Sequence, residues 1–403
     1  MLIEFNVTNF RSIYNTQTLS LVADSEEERV DSNTCSVGFS DLPRLVKSAV
    51  IYGPNAAGKS HLIRAIGFMQ EFVKNSANNS DESIDVKPFM LHENSKNAPS
   101  EFELIFIQEG MRYQYGFAVT PKRVMQEWLF AYPNGSGEQW LERFYDPQTQ
   151  QESWFVSDKL SNRMDLHELW KAATKPNVLF LSMVEIFHFQ EQSKKLAAIF
   201  DWITQTLIVF KPQRELLSQI KQCKEPLYKS TIMKFLRVAD LNIIDIQVET
   251  KSKTLQFVHY QNDTHDKVLL AADEESEGTR KLVALASFVM DMLTKGYVLM
   301  VDEFDNSLHP IIVRFLVELF HNTSLNKKNA QLVFTTHDSS TLDSTLFRRD
   351  QVWFVQKVQE QATQLYPLTD FQPRPHEALQ RYYLEGRYGA LPFIGELKFD
   401  GNG

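Results

Sequence analysis

Two cysteines, Cys35 and Cys223, in 403 residues leave no material for a disulfide framework or a cysteine-based metal cluster. Such a chain suits a reducing cytoplasmic compartment. Positive charge is also short: 42 Lys and Arg face 51 Asp and Glu, a formal net charge of −9. That excludes a protein that coats nucleic acid indiscriminately, though not one with a local basic patch. No basic segment leads into an apolar run at the start, so no secretory signal is expected. The best approach to a membrane span, LVALASFVMDMLTKGYVLMV (282–301), is broken by Asp291, Lys295 and Gly296. It reads as a buried helix, a turn and a buried strand. Sustained heptads and internal repeats are absent, which rules out a long coiled coil. Core material, by contrast, is ample, with 43% apolar and 12% aromatic residues, enough for one large domain or two to three smaller ones.

The pattern along the chain divides it into three. In 1–150, Leu2, Phe5, Val7 and Phe10 alternate, and FELIFIQ, MRYQYGFAV and MQEWLFAY read as antiparallel strands. The segment 151–245 is rich in Leu, Lys, Gln and Glu and poor in Gly, and reads as a compact helical insertion. The third part is 246–403: a strand pair, IIDIQVET, which straddles its start, and TLQFVHYQ, precedes a polar hinge, AADEESEGTRK. Helical and strand patterns then alternate, as in a parallel sheet flanked by helices. The acids of ADSEEERV read as a solvated loop rather than a metal site.

Chemistry begins at VIYGPNAAGKSHLIRAI (50–66). Gly53, Pro54, Asn55, Ala56, Ala57, Gly58, Lys59 and Ser60 lie between a strand-like run and a helical continuation. Glycines let a backbone wrap a phosphate, and a helix start offers free N–H groups and partial positive charge. Lys59 has the reach for β- and γ-phosphates, and the Ser60 hydroxyl suits Mg2+. The segment therefore reads as a nucleotide site.

Downstream, YVLMVDEFDNSLHP carries four apolar residues into Asp302 and Glu303. An acid at the tip of a neighbouring strand can hold a Mg2+ water shell, and the adjacent Glu303 is placed to activate water. AQLVFTTHD ends a further strand at His337, which can sense a γ-phosphate. Ser276-Glu277-Gly278 opens an apolar helix and offers a second anion-ready start. An ordinary N-cap explains Ser276 equally well, and the two roles are compatible.

Taken in order, NFRS, GPNAAGKS, SEGTRKL, VDEFDNSLHP and TTHD resemble the ATP-binding-cassette ATPases of the SMC and RecF type. The resemblance is closer to stand-alone bacterial ATPases of abortive-infection and phage-defence systems. These include the RloA and AbiL types, the AriA subunit of PARIS and the ATPase half of the overcoming-lysogenization-defect nucleases. It runs from Met1 to about Phe393 and takes in FRRDQVWFVQK and YYLEGRYGALP. It implies an α/β fold: a P-loop NTPase head of the ABC type with a mixed β-sheet flanked by helices.

The resemblance further implies ATP and Mg2+, with Ser60 and Asp302 on the metal, Glu303 as general base and His337 as switch histidine. Ser276 and Gly278 would meet ATP held by the opposite subunit of a homodimer, and Asp305 would lie in the loop that crosses between subunits. Arg11 is a candidate for nucleotide contact, a turn-stabilising role being the alternative. The signature begins with Glu275 where transporter relatives have Leu, so transporter logic does not carry over. Gln108 and Gln114 are the candidates for the glutamine that links γ-phosphate to the arm.

No second active site is legible, so the expected output is control of a separate polypeptide, a nuclease effector, in anti-phage defence. The competing expectation is a DNA-repair or maintenance clamp, with Lys211, Arg214, Lys221, Lys224 and Lys234 as its basic candidates. A purely structural ATP site and a small-molecule kinase are weaker readings. The aromatic, basic tail RPHEALQRYYLEGRYGALP is expected to pack on its own cassette, with docking of a partner or neighbouring subunit as the alternative. Assemblies larger than a dimer, and direct nucleic-acid contact, are left open by the sequence.

Overall fold

Strands whose residues alternate, such as Phe102, Leu104 and Phe106 between Glu101, Glu103 and Ile105, can bury only one face, whereas runs apolar throughout need cover on both. The chain contains both kinds, and they form separate sheets. The computed structural model describes residues 1–79, 83–161, 164–184, 186, 193–210, 226–238, 243–248, 255–261, 264, 266–374 and 377–392. It opens with β1 (Leu2–Thr8), β2 (Gln17–Ser20), β3 (Thr34–Phe39), β4 (Leu42–Val46) and β5 (Ser48–Tyr52). A helix, Lys59–Asn75, leads to β6 (Ser100–Gln108), β7 (Met111–Val119), β8 (Val124–Tyr132), β9 (Glu138–Asp146) and β10 (Gln151–Val156).

Helices Met164–Ala173 and Lys194–Asp201 precede β11 (Leu207–Val209), and helix Pro226–Val238 precedes β12 (Asp245–Val248), β13 (Leu255–Tyr260) and β14 (Lys267–Ala271). The last third contains helix Glu277–Lys295, β15 (Val298–Val301), helix Pro310–His321 and β16 (Gln331–Thr336). It continues through β17 (Val352–Lys357) and β18 (Thr363–Pro367) to the short helix Leu379–Leu384. Among the described residues no helix is long and apolar enough to cross a membrane.

A seven-stranded antiparallel sheet has the order β10-β9-β8-β7-β6-β1-β2, and a six-stranded sheet the order β11-β15-β16-β5-β17-β18. The second is parallel except for β18. Its strands feed both sides. Ala49, Ile51, Met300 and Val333 join a core with the Lys59–Asn75 helix and the inner face of the antiparallel sheet. Val50, Tyr52, Leu299 and Phe334 join a second core with helices Glu277–Lys295 and Pro310–His321. The fold is thus a mixed α/β head, as the motif order implies.

Three features differ from the sequence reading. The span 151–245 is not wholly helical. β10 extends the antiparallel sheet, and β11 pairs with β15 in parallel, Val209 opposite Met300. The polar hinge begins only after a third strand, β14, whose backbone completes a sheet with β12 and β13. Three of the four acids of ADSEEERV, Asp24, Glu26 and Glu28, are also engaged. Buried Arg348 donates to Asp24 and to the carbonyls of Glu26 and Glu28, while Arg349 pairs with Glu26 and Glu28. This strap accounts for the paired arginines of FRRDQ. A buried guanidinium needs such partners to offset its lost hydration.

Polar ties also bind the layers. Fully buried Gln331 accepts from the Leu2 amide at 2.7 Å and donates to the carbonyls of Leu2 at 3.0 Å and Val46 at 3.1 Å. Glu127 on β8 is fully buried as well, and burial raises its pKa. It accepts from Tyr115 Oη at 2.9 Å and from the amides of Phe180 at 2.7 Å and Leu181 at 3.0 Å. Glu127→Ala strands those three donors, so urea denaturation should show a loss of about 3 kcal/mol or more. Glu127→Gln should cost less, because its amide oxygen still accepts.

Candidate functional site

β5 is buried at all five positions and lies between β16 and β17, with Tyr52 opposite both Thr336 and Phe354. The phosphate loop leaves its tip. A Cβ on Gly53 would stand 2.3 Å from the Val355 carbonyl oxygen, and one on Gly58 would stand 2.0 Å from Thr363 Oγ1. Both positions therefore demand glycine, and Gly58, at φ 116°, turns directly into the helix that begins at Lys59.

Lys59 is buried beneath the loop and donates to the carbonyls of Gly53 at 2.6 Å and Pro54 at 3.0 Å. Its Nζ also lies 3.2 Å from Nδ1 of His337. Burial lowers its pKa to about 8, against the raising influence of Asp302, Glu303 and Asp305. A cleft of about 380 Å³ is lined by the loop, His61, Arg64, Glu303 and His337.

β15 ends at Val301, and Asp302 accepts a hydrogen bond from Thr335 Oγ1 at 2.7 Å. The same hydroxyl accepts from the Glu303 amide at 2.8 Å. Glu303 is half exposed and has a left-handed backbone, φ 50°. Its carboxylate lies 3.9 Å from Nε2 of His337. The imidazole thus has one nitrogen toward Lys59 and the other toward Glu303. Asp305 accepts from the His337 amide at 3.3 Å, while its other oxygen is buried without a hydrogen-bond partner among the described residues. Ser60 and Asp302 offer one hydroxyl and one carboxylate. That sparse, all-oxygen set fits Mg2+, which completes its shell with waters and phosphate oxygens.

Ser276 is exposed and caps helix Glu277–Lys295, accepting from the Thr279 amide at 3.0 Å. Neither Ser276 nor Gly278 lines the phosphate cleft. Gly278 instead rests on the acidic loop: a Cβ there would meet the Ser307 carbonyl oxygen at 2.5 Å. Lys281 fastens the arrangement by donating to the carbonyls of Glu303 at 3.0 Å and Asn306 at 2.7 Å. Glu275 lies 2.6 Å from His259 on β13, which gives the acid a local partner.

Residues 48–343 match the family described as AAA domain, putative AbiEii toxin, Type IV TA system. The chain belongs to this family. Among solved structures it is similar to the SMC head bound to the C-winged helix domain of ScpA. The identity is 12%, the alignment covers 91% of this chain and 96% of that one, and the TM-score is 0.40. No match was found among curated proteins.

In this AAA-domain protein the loop residues Pro54 to Ser60, Glu303 and His337 share one cleft, with Asp302 and Asp305 tied to its walls. Arg11 lies apart. It lines a neighbouring cavity with Arg64 and Asp302, has φ 52°, and sets its guanidinium 5.5 Å from the Phe10 ring. Gln108 ends β6, and Gln114 donates to Glu103 at 2.8 Å; neither lines the cleft. Lys234 is exposed on helix Pro226–Val238, while Lys211, Arg214, Lys221 and Lys224 lie outside the described residues. The tail packs on its own cassette through Tyr383 and Tyr388, which stack on Phe354.

Motif reading missed a clamp around the loop. Ser12 Oγ lies 2.7 Å from Thr363 Oγ1 and 2.6 Å from His61 Nδ1, and Thr363 donates to the Ala57 carbonyl at 2.9 Å. The serine of NFRS and the histidine after GKS were the available signals. Thr363, 306 residues from Ala57, had none.

Lys59 also sets a pH dependence. Its pKa lies near 8, and a triphosphate beside it would favour the charged form. ATP binding should take up protons above pH 8. Its affinity should fall as pH rises through that value, by at most about tenfold per unit, and should be flat below. Calorimetry at pH 7 and 9 (approximate settings) in buffers of different ionisation enthalpy measures this, and Lys59→Arg should remove the proton uptake.

Proposed function

We propose that this protein is an ATPase that converts ATP and water to ADP and phosphate and works as a homodimeric switch in bacterial anti-phage defence. In this reading it governs a separately encoded effector, a nuclease. One observation carries the proposal. Lys59, Glu303 and His337 converge on a cleft that includes no residue of the exposed Ser276 helix start. A hydroxyl and free amides displayed away from their own chain's phosphate loop suit a triphosphate held by a second copy.

Glu303 accepts the proton of the attacking water, and His337 orients the reacting group between Lys59 and Glu303. Ser60 and Asp302 would hold Mg2+, which would supply positive charge against the phosphates. ATP closes the dimer and hydrolysis reopens it. The family's toxin description supports defence over a DNA-maintenance clamp.

Mixing variants tests the shared site. Lys59→Ala and Ser276→Arg should each abolish turnover alone, yet together restore part of it, because one of the two composite sites in a mixed dimer is intact. Full activity of Ser276→Arg by itself would refute the arrangement. Glu303→Gln should bind ATP, lose about 100-fold or more in turnover, and accumulate as dimer in light scattering. Phage plating on cells carrying the gene and its neighbouring reading frame should rise with Lys59→Ala; equal plating with the wild type would refute the defence role.

A further inference from the structure

The antiparallel sheet buries one face against the Lys59–Asn75 helix, and its other face carries an acidic and aromatic surface. From Phe155 at one edge to Thr18 at the other, a cross-strand row holds Glu142, Trp128, Gly116, Glu103 and Asn6. The adjacent row includes Phe144 and Glu101. Neither row contains a lysine or arginine, and Phe144 and Phe155 are 44% and 46% exposed.

Trp128 lies across Gly116, where a Cβ would be 2.4 Å from the indole, and donates to Glu103 at 2.7 Å. Beside it, a cleft of about 270 Å³ is lined by Glu101, Glu103, Trp128 and threonines. Glu101, Glu103 and Glu142 form no ion pair among the described residues, and the Glu101 carboxylate has no hydrogen-bond partner among them.

The other face of the same sheet displays a filled version of this arrangement. There Trp154 donates to Glu152 at 3.1 Å, as Trp128 does to Glu103. Arg143 completes it, 4.8 Å from the Trp154 ring and 3.0 Å from Glu152. An indole and a carboxylate held together make a guanidinium site, offering a π face and a charged acceptor. Glu103 also accepts from Asn6 at 3.2 Å and Gln114 at 2.8 Å, so the open acceptor of the cleft is the Glu101 carboxylate.

We infer that the outer sheet face docks a partner polypeptide that presents arginine, whose guanidinium enters the cleft between Trp128, Glu103 and Glu101. Phe144 and Phe155 supply apolar contact beside it. The carboxylates repel nucleic acid and anionic lipid, so charge complementarity favours a basic protein surface. This surface goes beyond the nucleotide switch and is testable with the phosphate cleft disabled.

Fluorescence anisotropy with a labelled arginine–glycine octapeptide, on the full chain, tests the assignment. Glu101→Gln and Trp128→Ala should each weaken binding about tenfold, whereas Asp31→Asn/Asp370→Asn, which removes two distant exposed charges, should not. A lysine–glycine octapeptide should bind about tenfold more weakly than the arginine peptide. Lys59→Ala should bind the arginine peptide like the wild type. Absence of binding, equal loss in the distant double variant, or equal affinity for the lysine peptide would overturn the inference. Melting curves guard against misfolding of Trp128→Ala, and Glu101→Gln, which breaks no hydrogen bond among the described residues, decides if that variant unfolds.

Discussion

The registered pairing of three parallel strands sets the position of the charged groups in the cleft. β16 is held on both sides, Thr336 opposite Tyr52 and Phe334 opposite Val301. Gly53, Asp302 and His337 follow those strand ends directly, so the ladder delivers them to one edge of the sheet. Thr335 adds a rung of its own. By donating to Asp302 and accepting from the Glu303 amide, one hydroxyl orients two successive acids. A slip of one residue would turn Thr335 to the opposite face and disperse the set.

That ladder was legible because VIY, YVLMV and LVFTT are apolar or β-branched throughout, and each is followed by a residue with chemistry to offer. The antiparallel strands were equally readable from alternation, as in Phe102, Leu104 and Phe106. Short strands escaped. Leu207–Val209 is three residues between helical segments, and its identity as a strand comes only from β15 beside it. Lys267–Ala271 sits at a sheet edge with exposed side chains, so no buried face marks it. The acidic strap was misread because charge composition does not reveal a buried counterion 320 or more residues away.

Much of what stiffens the molecule shares this distance. Gln331 reaches Leu2 across 329 residues, and Thr363 reaches Ser12 across 351. Each is an ordinary polar residue by type. Their weight comes from burial, where an amide or hydroxyl must find partners and so specifies which layers touch. The clamp of Ser12, His61 and Thr363 explains why the loop can have sharp glycine turns and still hold Lys59 firmly: its flanks are bonded to two other parts of the chain.

Lys281 gives the head a mechanical character. The acidic loop touches the cleft through Glu303 and Asp305 and touches the Ser276 helix through two carbonyls gripped by one ammonium. With Gly278 set against Ser307, there is no slack between them. Displacement of the acidic loop beside His337 would press on the exposed tip of that helix through these same contacts, like a pushrod whose far end is already in the open.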